Sequence, residues 1–420
     1  MSQKADLKLK LAEAELLGAK GILDPVVSSD WNQKNFDDKL YYRQFRAKLQ
    51  LPTRLGIDVV GGYENTDGVF LNPEDNTDNF GLWNVGVEVN VLQGLIVNER
   101  RTAIQQAKVF QELALNEQQI ILNDLVYNAS SAYLIWQHYY YSEIVLRENI
   151  SIASIYSDNT KQSFLSGEKT AMDTLEAYIL YQDAISFLQK NELGLIKSRQ
   201  QVENFLWFDE QPITLQQTTI PEDYKNQFFA TPTNLSDAGL ANHPIILAAL
   251  NKLSYYEIEQ RLKREKLKPK LKLKYNPLLA TSDNSVRPSF SLNDYKWGFD
   301  FSMPLLLRSE RANVQRGEVK VEEIKLDIQN KRNELQNKIE SSRQQRIVLQ
   351  EQATLLDQNL ENYKRLLDGE NEKFNYGESS VFLLNKRQEK YIDGQLKIIE
   401  IYIKQQLELL NFLYYSNQLI

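Results

Sequence analysis

Short segments of this chain alternate between apolar and polar residues, whereas much longer segments carry apolar residues every three or four positions. The clearest alternating segment is LWNVGVEVNVLQG, residues 82–94. Its alternating valines are Val85, Val87, Val89 and Val91. Because neighbouring side chains point to opposite faces of a strand, this pattern predicts a β-strand with one apolar and one polar face. A long helical pattern follows it, so the sequence shows no obvious core for those valines.

Two long segments without proline predict very long helices. None of the eleven prolines lies between residues 74 and 211 or after residue 304. A proline inside a helix costs about 3 kcal/mol, so its absence permits unusual helix length. One glycine in a short polar break interrupts each segment, at Gly167 and Gly377, and glycine commonly follows a helix end. We therefore predict two helical hairpins, over residues 98–206 and 309–415, whose first helices are each about 100 Å long.

Apolar stripes along these segments indicate helices that pack on other helices. The stripe positions are Leu122, Val126, Ala129, Tyr133, Trp136, Tyr140 and Ile144 in the first hairpin, and Val321, Ile324, Ile328, Leu335 and Ile339 in the second. Spacings of three and four residues place such side chains on one helix face. The second stripe is thin and its surroundings are polar, as expected of a solvated coiled coil or of one wall of a water-filled tube.

The two halves of the chain are similar in sequence, which predicts an internal repeat. A shift of 210 residues places Gly167 on Gly377 and Phe164 on Phe374. A shift of 212 residues places VGVEVNVLQGL over WGFDFSMPLLL, in which aromatic residues alternate as the valines do. We predict that each repeat consists of a helix, two strands and one hairpin, and that an irregular connector joins them. The bounds are 1–206, 207–239 and 240–420, with strands at about 25–92 and 269–304.

Composition argues against several classes of function. The net charge of −7 disfavours a general nucleic-acid binder, and the absence of cysteine excludes disulfides and thiolate sites. No apolar run reaches the roughly 18–20 residues of a membrane-spanning helix. The two histidines, His138 and His243, have no acid or nucleophile at a motif spacing. We therefore expect no enzymatic activity, no cofactor and no metal site.

The alternating strands are expected to face lipid on one side and water on the other. The second repeat carries Trp297, Phe299 and Phe301 where the first carries valines, and the opposite faces are polar. Apolar residues outside and polar residues inside are typical of membrane β-barrels. Four strands cannot close a barrel, because the smallest need about eight, so several chains must contribute. Three chains would supply twelve strands.

The ordered set of these elements resembles the TolC-type outer-membrane efflux channels over nearly the whole chain. The resemblance rests on VEVNVLQGLIVNERRTAIQQA and FDFSMPLLLRSERANVQRG, on the turns SGEKTAMDTLEA and YGESSVFLLNKR, and on LANHPIILAAL. It implies a mixed α and β membrane protein, a homotrimer whose twelve-stranded barrel lies in the lipid of a Gram-negative outer membrane. An α-helical tunnel would extend into the periplasm. The resemblance further implies a passive exit channel of a tripartite efflux or type I secretion system.

The resemblance also implies partners and contact sites. A periplasmic adaptor, or membrane fusion protein, would contact the hairpin tips, and an inner-membrane pump or ABC transporter would supply the energy. The tip residues are Ser166, Gly167, Glu168, Lys169, Thr170, Tyr376, Gly377, Glu378, Ser379 and Ser380. In such channels acidic residues just beyond the turns often ring the closed periplasmic mouth, which points here to Asp173 and Glu176, with Lys386 in the second hairpin. A gate and a solvated surface pair are both open interpretations.

The chain departs from the family pattern in two respects, and one alternative function would explain part of the sequence. Residues 25–92 are about twice as long as 269–304, and the insertion SSDWNQKNFDDKLYYRQFRAKLQ fits either a periplasmic collar or an extended strand. The first repeat has no clear counterpart of HPIILAAL, as expected of a chain that lacks its extreme N-terminus. A soluble coiled-coil scaffold or adhesin would explain the helices but not the duplicated alternating strands. Detergent dependence of the purified chain separates the two functions.

Overall fold

The structure is a computed structural model, and it describes residues 2–226, 229, 237–280 and 289–420. Within these residues it contains seven α-helices and eight strands, which confirms a mixed α and β chain. The helices are α1 (Ser2–Gly21), α2 (Glu99–Leu165), α3 (Ala171–Glu203), α4 (Asp237–Ala241), α5 (Pro244–Glu265), α6 (Arg308–Asn375) and α7 (Val381–Tyr415). The strands are β1 (Val26–Phe36), β2 (Lys39–Pro52), β3 (Ile57–Asp67), β4 (Leu82–Asn90), β5 (Trp207–Phe208), β6 (Gln211–Pro212), β7 (Lys270–Ala280) and β8 (Ser289–Ser302).

The two longest helices are α2, with 67 residues, and α6, with 68. Each begins a few residues after an alternating strand and ends at a predicted glycine turn, from which α3 or α7 continues the chain. The helices α2 and α3 thus lie in the segment predicted over residues 98–206, and α6 and α7 lie where a hairpin was predicted over 309–415. Among the described helices, none is both long enough and apolar enough to cross a membrane.

Six strands form one antiparallel sheet in the order β1-β2-β3-β4-β7-β8. The two repeats share this sheet, because β4 of the first pairs with β7 of the second, from Leu82 opposite Ala280 to Asn90 opposite Lys272. The short strands β5 and β6 pair with each other in the connector.

The structure differs from the sequence prediction in the first repeat, where it has four strands between residues 25 and 92 instead of two. The insertion forms β1 and most of β2, so it is a strand hairpin. Asp37 and Asp38 between them have positive φ, 53° and 50°, as in the two-residue turns that join antiparallel strands. Polar residues such as Ser29 and Gln33 interrupt the apolar face of β1, and this concealed its alternation.

The chain divides into two compact units, and each contains residues of both repeats. One unit comprises residues 3–119 and 244–331 and includes the six-stranded sheet. In its helical part Ala249 of α5 packs against Ile324 and Ile328 of α6. Those two isoleucines belong to the predicted stripe, and both are buried.

The other unit comprises residues 120–243 and 332–420. The buried residues of its main core are Leu134 of α2 and Ile399, Ile403 and Leu410 of α7. A second cluster packs Ala132 and Trp136 of α2 against Val202 of α3. The helix α2 is therefore buried on two sides within this unit.

Candidate functional site

One face of the six-stranded sheet is apolar and exposed in the single chain. The aromatic residues predicted to face lipid, Trp297, Phe299 and Phe301, are all exposed on β8, Trp297 by 66%. On β4 the residues Val85 and Val87 are exposed, Val89 is half-buried, and Val91 follows the strand directly. A contiguous exposed apolar face of this kind normally contacts a membrane or another protein.

An aromatic row crosses the apolar face near the end that carries the β1–β2 turn. Its members are Trp31, Phe45, Tyr63 and Trp83, on β1 to β4, with successive ring centroids 6.1, 6.3 and 4.7 Å apart. Beyond the row, Arg43 and Asp67 form an ion pair of 3.0 Å on the same face. The apolar face extends over nine residues from Trp83 to Val91, and a tilted transmembrane strand has about 9–11 residues. Membrane barrels have an apolar band of about 25 Å edged by aromatic residues.

The opposite face of the sheet carries charged residues that pair with one another. The Glu88 carboxylate of β4 accepts from Lys48 of β2 at 3.2 Å and also from Lys272 of β7. The Asp58 carboxylate of β3 accepts from Arg100 of α2, with Nη2 to Oδ2 at 3.1 Å. Glu88 is only 6% exposed although this face is polar. The carboxylates of Glu88 and Asp58 on this face are therefore paired with basic residues.

The sheet curves toward its charged face. Lys296 of β8 and Glu64 of β3 form an ion pair of 3.0 Å, although β4 and β7 lie between their strands. Three strand spacings amount to about 14 Å in a flat sheet. Side chains that stand roughly perpendicular to a sheet meet over such a distance when it curves toward them. The charged residues therefore line a concave surface, and the apolar residues cover the convex one.

The two predicted turns have the same backbone structure, 210 residues apart. Gly167 and Gly377 have φ of 82° and 75°, in the left-handed region that favours glycine. The N–H after each glycine donates to the carbonyl five residues earlier, from Glu168 to Ser163 and from Glu378 to Lys373, both at 2.9 Å. This is the Schellman arrangement that ends many helices. The repeat predicted from the sequence is therefore present at both turns.

At the first tip, Asp173 helps to start helix α3. The Thr170 hydroxyl accepts from the Asp173 N–H at 3.2 Å, and the Asp173 carboxylate accepts from the Thr170 N–H at 2.8 Å. These reciprocal bonds form a capping box. The Thr170 N–H and hydroxyl hold the pKa of Asp173 below its usual value. A predicted gate residue thus has a structural role as well.

The second tip is held by different side chains. Ser380 caps α7 by accepting from the Leu383 N–H at 3.2 Å, but a leucine has no carboxylate to close a capping box. Instead Glu370, near the end of α6, accepts from the Ser379 hydroxyl and from Arg387 Nε, the latter at 3.4 Å. The Ser379 hydroxyl and the Arg387 charge lower the pKa of Glu370. This cluster joins α6 to α7.

The three gate candidates differ in their surroundings. Asp173 and Glu176 lie about one turn apart on α3, the first in its capping box and the second half-buried. Lys386 is exposed on α7. In the part of the chain that the structure describes, the ion pair at this tip uses the next residue, Arg387, with Glu370. The gate remains a prediction.

Phe374, near the end of α6, connects the two tips. The Lys169 ammonium of the first tip lies 5.0 Å from the centre of the Phe374 ring, within the range of a cation–π interaction. The Tyr156 ring of α2 lies 6.2 Å from the same ring. The tips therefore touch through side chains of both hairpins.

Sequence reasoning missed several of these residues. In the sequence, Phe374 stands out only as the residue that aligns with Phe164 of the other repeat. This alignment was the available indication that Phe374 has a role at the tips. Glu370 and Arg387 are 17 residues apart and lie on different helices, so no spacing within one helix relates them. Their pairing follows only from the geometry of the complete hairpin.

The histidines lie among helices. Burial lowers the pKa of His138, and it lowers that of His243 to about 4, although the Tyr415 carbonyl accepts from the His243 ring. Among the described residues, no three His, Asp or Glu side chains form a group that could hold a metal ion.

Acid is expected to destabilise the fold through His243. This side chain is 3% exposed, and its pKa of about 4 compares with 6.5 in an unfolded chain. The unfolded chain therefore binds a proton first as pH falls, and stability decreases between pH 6.5 and 4. The expected loss from pH 7 to pH 5 is about 2 kcal/mol in the free energy of unfolding. Urea unfolding at pH 7 and pH 5, followed by circular dichroism, measures this loss of stability. The variant His243→Gln should lack the part of the loss that comes from His243. An equal decrease in the free energy of unfolding in both proteins would contradict the prediction.

No protein-family description and no curated protein matches the sequence. In fold, the chain matches the Campylobacter jejuni CmeC outer membrane channel with a TM-score of 0.71 and 13% identity, over 99% of this chain and 82% of that one. CusC, whose structures describe transmembrane channel formation, gives 0.71 and 15%, over 99% and 88%. The Vibrio cholerae outer membrane protein VceC gives 0.70 and 11%, over 98% and 92%.

The chain has the fold of outer-membrane channels. The TolC-type resemblance seen in the sequence is thereby confirmed for the fold. The channel fold includes the sheet and both helical hairpins, because each of these matches covers at least 98% of the chain. CmeC is an outer membrane channel, and the structures of CusC describe the formation of a transmembrane channel.

Proposed function

We propose that this chain is the passive outer-membrane exit channel of a tripartite efflux or type I secretion system, and that three copies form it. The observation that carries the proposal is the curved sheet, with a convex apolar face edged by aromatic residues and a concave charged face. Such a sheet suits lipid outside and water inside. The channel fold supports the same function, since CmeC is an outer membrane channel.

The helical hairpin tips are the proposed contact with a periplasmic adaptor. Several apolar side chains are exposed there without a core to join, among them Met172, Phe382 and Tyr376, the last by 82%. Met172 and Phe382 occupy the same position in the two repeats. Exposed apolar residues rimmed by polar ones mark protein contacts. The energy for transport would come from an inner-membrane pump or ABC transporter that the adaptor links to the channel.

Purification and reconstitution test this function. The chain should require detergent and should elute as a trimer, with its mass measured by light scattering. It should also give stepwise ion conductance in planar lipid bilayers. Conductance is expected because paired charges on a concave surface leave a wetted lumen. A monodisperse, water-soluble monomer without conductance would overturn the proposal and favour the coiled-coil scaffold or adhesin.

Replacing Met172 and Phe382 together with serine should reduce export without changing the trimer. The loss of two apolar contacts per chain weakens adaptor binding by about 1–3 kcal/mol for each side chain. Antibiotic susceptibility of the native strain, compared with a deletion strain, measures export. The matched control is Leu193→Ser, at an exposed leucine of α3 distant from the tip in sequence. Equal susceptibility of wild type and the double variant would contradict adaptor contact at these residues.

The proposed periplasmic gate consists of Asp173, Glu176 and Lys386, repeated by threefold symmetry. Asp173→Asn removes the charge but keeps an oxygen that accepts from the Thr170 N–H, so the capping box persists. If the charges hold the mouth closed, Asp173→Asn and Glu176→Gln should each raise the conductance of the resting channel several-fold.

Two further variants separate the gate from the helix cap. Asp173→Ala removes both charge and cap, and should also lower helix stability by about 1 kcal/mol. Lys386→Gln tests the second hairpin. Unchanged conductance and antibiotic susceptibility in Asp173→Asn, Glu176→Gln and Lys386→Gln would remove the gate and leave Asp173 as a capping residue.

A further inference from the structure

The six-stranded sheet has two edge strands, β1 and β8, each with a single neighbouring strand among the described residues. They are 11 and 14 residues long. An open sheet edge inside a membrane leaves backbone N–H and C=O groups without partners, at a cost of several kcal/mol for each group. Both edges therefore require a strand from another chain if the sheet lies in lipid.

The inserted hairpin of β1 and β2 is an integral part of the sheet. β2 pairs with β3 over ten consecutive residues, from Arg43 opposite Asp67 to Pro52 opposite Asp58. Side chains reinforce this pairing on the charged face: Lys48 reaches Glu88 of β4, and the Gln50 amide donates to Asp58 at 2.8 Å. The strand β3 is thus occupied on both sides and is not an edge.

The strand β1 continues both faces of the sheet. Trp31 extends the aromatic row and lies 6.1 Å from Phe45 on the apolar face. Asp30 is opposite Arg46 on the charged face. Because neighbouring strands are antiparallel throughout, the first and sixth strands run in opposite directions. A β8 strand laid beside β1 of another copy would therefore continue the antiparallel order.

We propose that the seam between neighbouring copies joins β8 of one chain to β1 of the next, so that three copies close an eighteen-stranded barrel. The proposal rests on the trimeric channel proposed above and replaces the twelve strands expected from the sequence. Eighteen satisfies the even strand number of antiparallel barrels. It also gives a wider barrel, because the diameter increases with the number of strands.

Charge and polarity restrict the register of this seam. Residues with even numbers lie on the charged face from Ser28 to Lys34 in β1 and from Lys296 to Ser302 in β8, so even positions must oppose even positions there. The register that places Asp30 opposite Lys296 of the next copy pairs opposite charges. It also places Ser29 opposite Trp297 on the apolar face. A shift by four positions would place Lys34 opposite Lys296 and Asp30 opposite Asp300, and like charges disfavour it.

Disulfide cross-linking tests the seam, and the native chain is suited to it because it contains no cysteine. Ser29→Cys is combined in turn with Tyr295→Cys, Trp297→Cys or Phe299→Cys, which samples three registers. The single variant Ser29→Cys is first shown to be a conducting trimer. At least one combination should then give oxidant-dependent dimers and trimers on non-reducing gels, since opposed strand residues are within disulfide reach.

The matched control moves the first cysteine from β1 to β3. Gly61→Cys lies on the apolar face, and an added Cβ there meets only the Asn84 carbonyl at 4.0 Å, so the fold tolerates it. Combined with the same β8 cysteines, it should give no cross-linked species. Cross-linking through Gly61→Cys, or none through Ser29→Cys in a trimer that conducts, would overturn the eighteen-stranded seam. A monomer without conductance would instead overturn the proposed function.

Discussion

Replacing Gly86 with alanine is expected to separate the two halves of the sheet. A Cβ atom at this position would lie 2.2 Å from the Tyr275 carbonyl oxygen and 2.6 Å from Asn276 Cα, both backbone atoms of β7. A side-chain rotation cannot relieve such contacts, so the β4–β7 pairing must shift. Overpacking of this kind costs about 1–3 kcal/mol, and more where the backbone cannot move.

The repeat supplies the control for this variant. Gly298 of β8 is the counterpart of Gly86 at the shift of 212, and a Cβ added there meets no heavy atom within 4 Å. The urea midpoint in detergent and the yield of protease-resistant trimer should fall in Gly86→Ala and stay near wild type in Gly298→Ala. Equal values for the two variants would show that the approach of β4 to β7 does not limit folding.

Glu88→Ala is expected to give the second large effect. This carboxylate is nearly buried between Lys48 and Lys272, and its removal leaves two ammonium groups facing each other. Breaking a buried pair costs about 3–5 kcal/mol, and we expect about 3 kcal/mol because both lysines are partly exposed. The free energy of unfolding in detergent, from urea titration, measures the loss.

Two comparisons isolate the charge effect. In Asp300→Ala the lost partner of Lys274 is 64% exposed, so the change should be below about 1 kcal/mol. Adding Lys272→Met to Glu88→Ala removes one of the two opposed charges and should restore part of the stability. A Glu88→Ala variant no less stable than Asp300→Ala would contradict the role given to this carboxylate.

The strands and turns were predictable to different degrees. The valines of β4 alternate without interruption, and both Gly167 and Gly377 stand alone in polar breaks, so local pattern and structure agree. In β1 the apolar face includes Ser29 and Gln33, so only pairing with β2 reveals the strand. An edge strand of mixed polarity depends on its neighbour more than on its own residues.

The stripe along α2 was only partly informative. Trp136 is buried as the stripe predicts, but Ile144 is exposed, and Leu134, outside the stripe, is almost fully buried. Leu134 packs against α7 while Trp136 packs against α3, and the two lie about 200° apart around the helix. A single stripe describes one contact, whereas this helix has contacts on two sides.

The tips show the same limit at the level of side chains. The capping box was readable from the sequence, because Thr170 and Asp173 have the spacing that such boxes require. The cluster of Glu370, Ser379 and Arg387 was not readable, since it depends on two helices that meet only in the folded hairpin.

The two tips are stabilised by different interactions, and this difference affects how easily each hairpin opens. The first tip is stabilised by the short hydrogen bonds of the capping box at the N-terminus of α3, which added salt weakens very little. The second depends partly on the attraction between Arg387 and Glu370, which concentrated electrolyte screens. Ionic strength should therefore loosen the second hairpin before the first, so that two elements of duplicated origin respond unequally to the same medium.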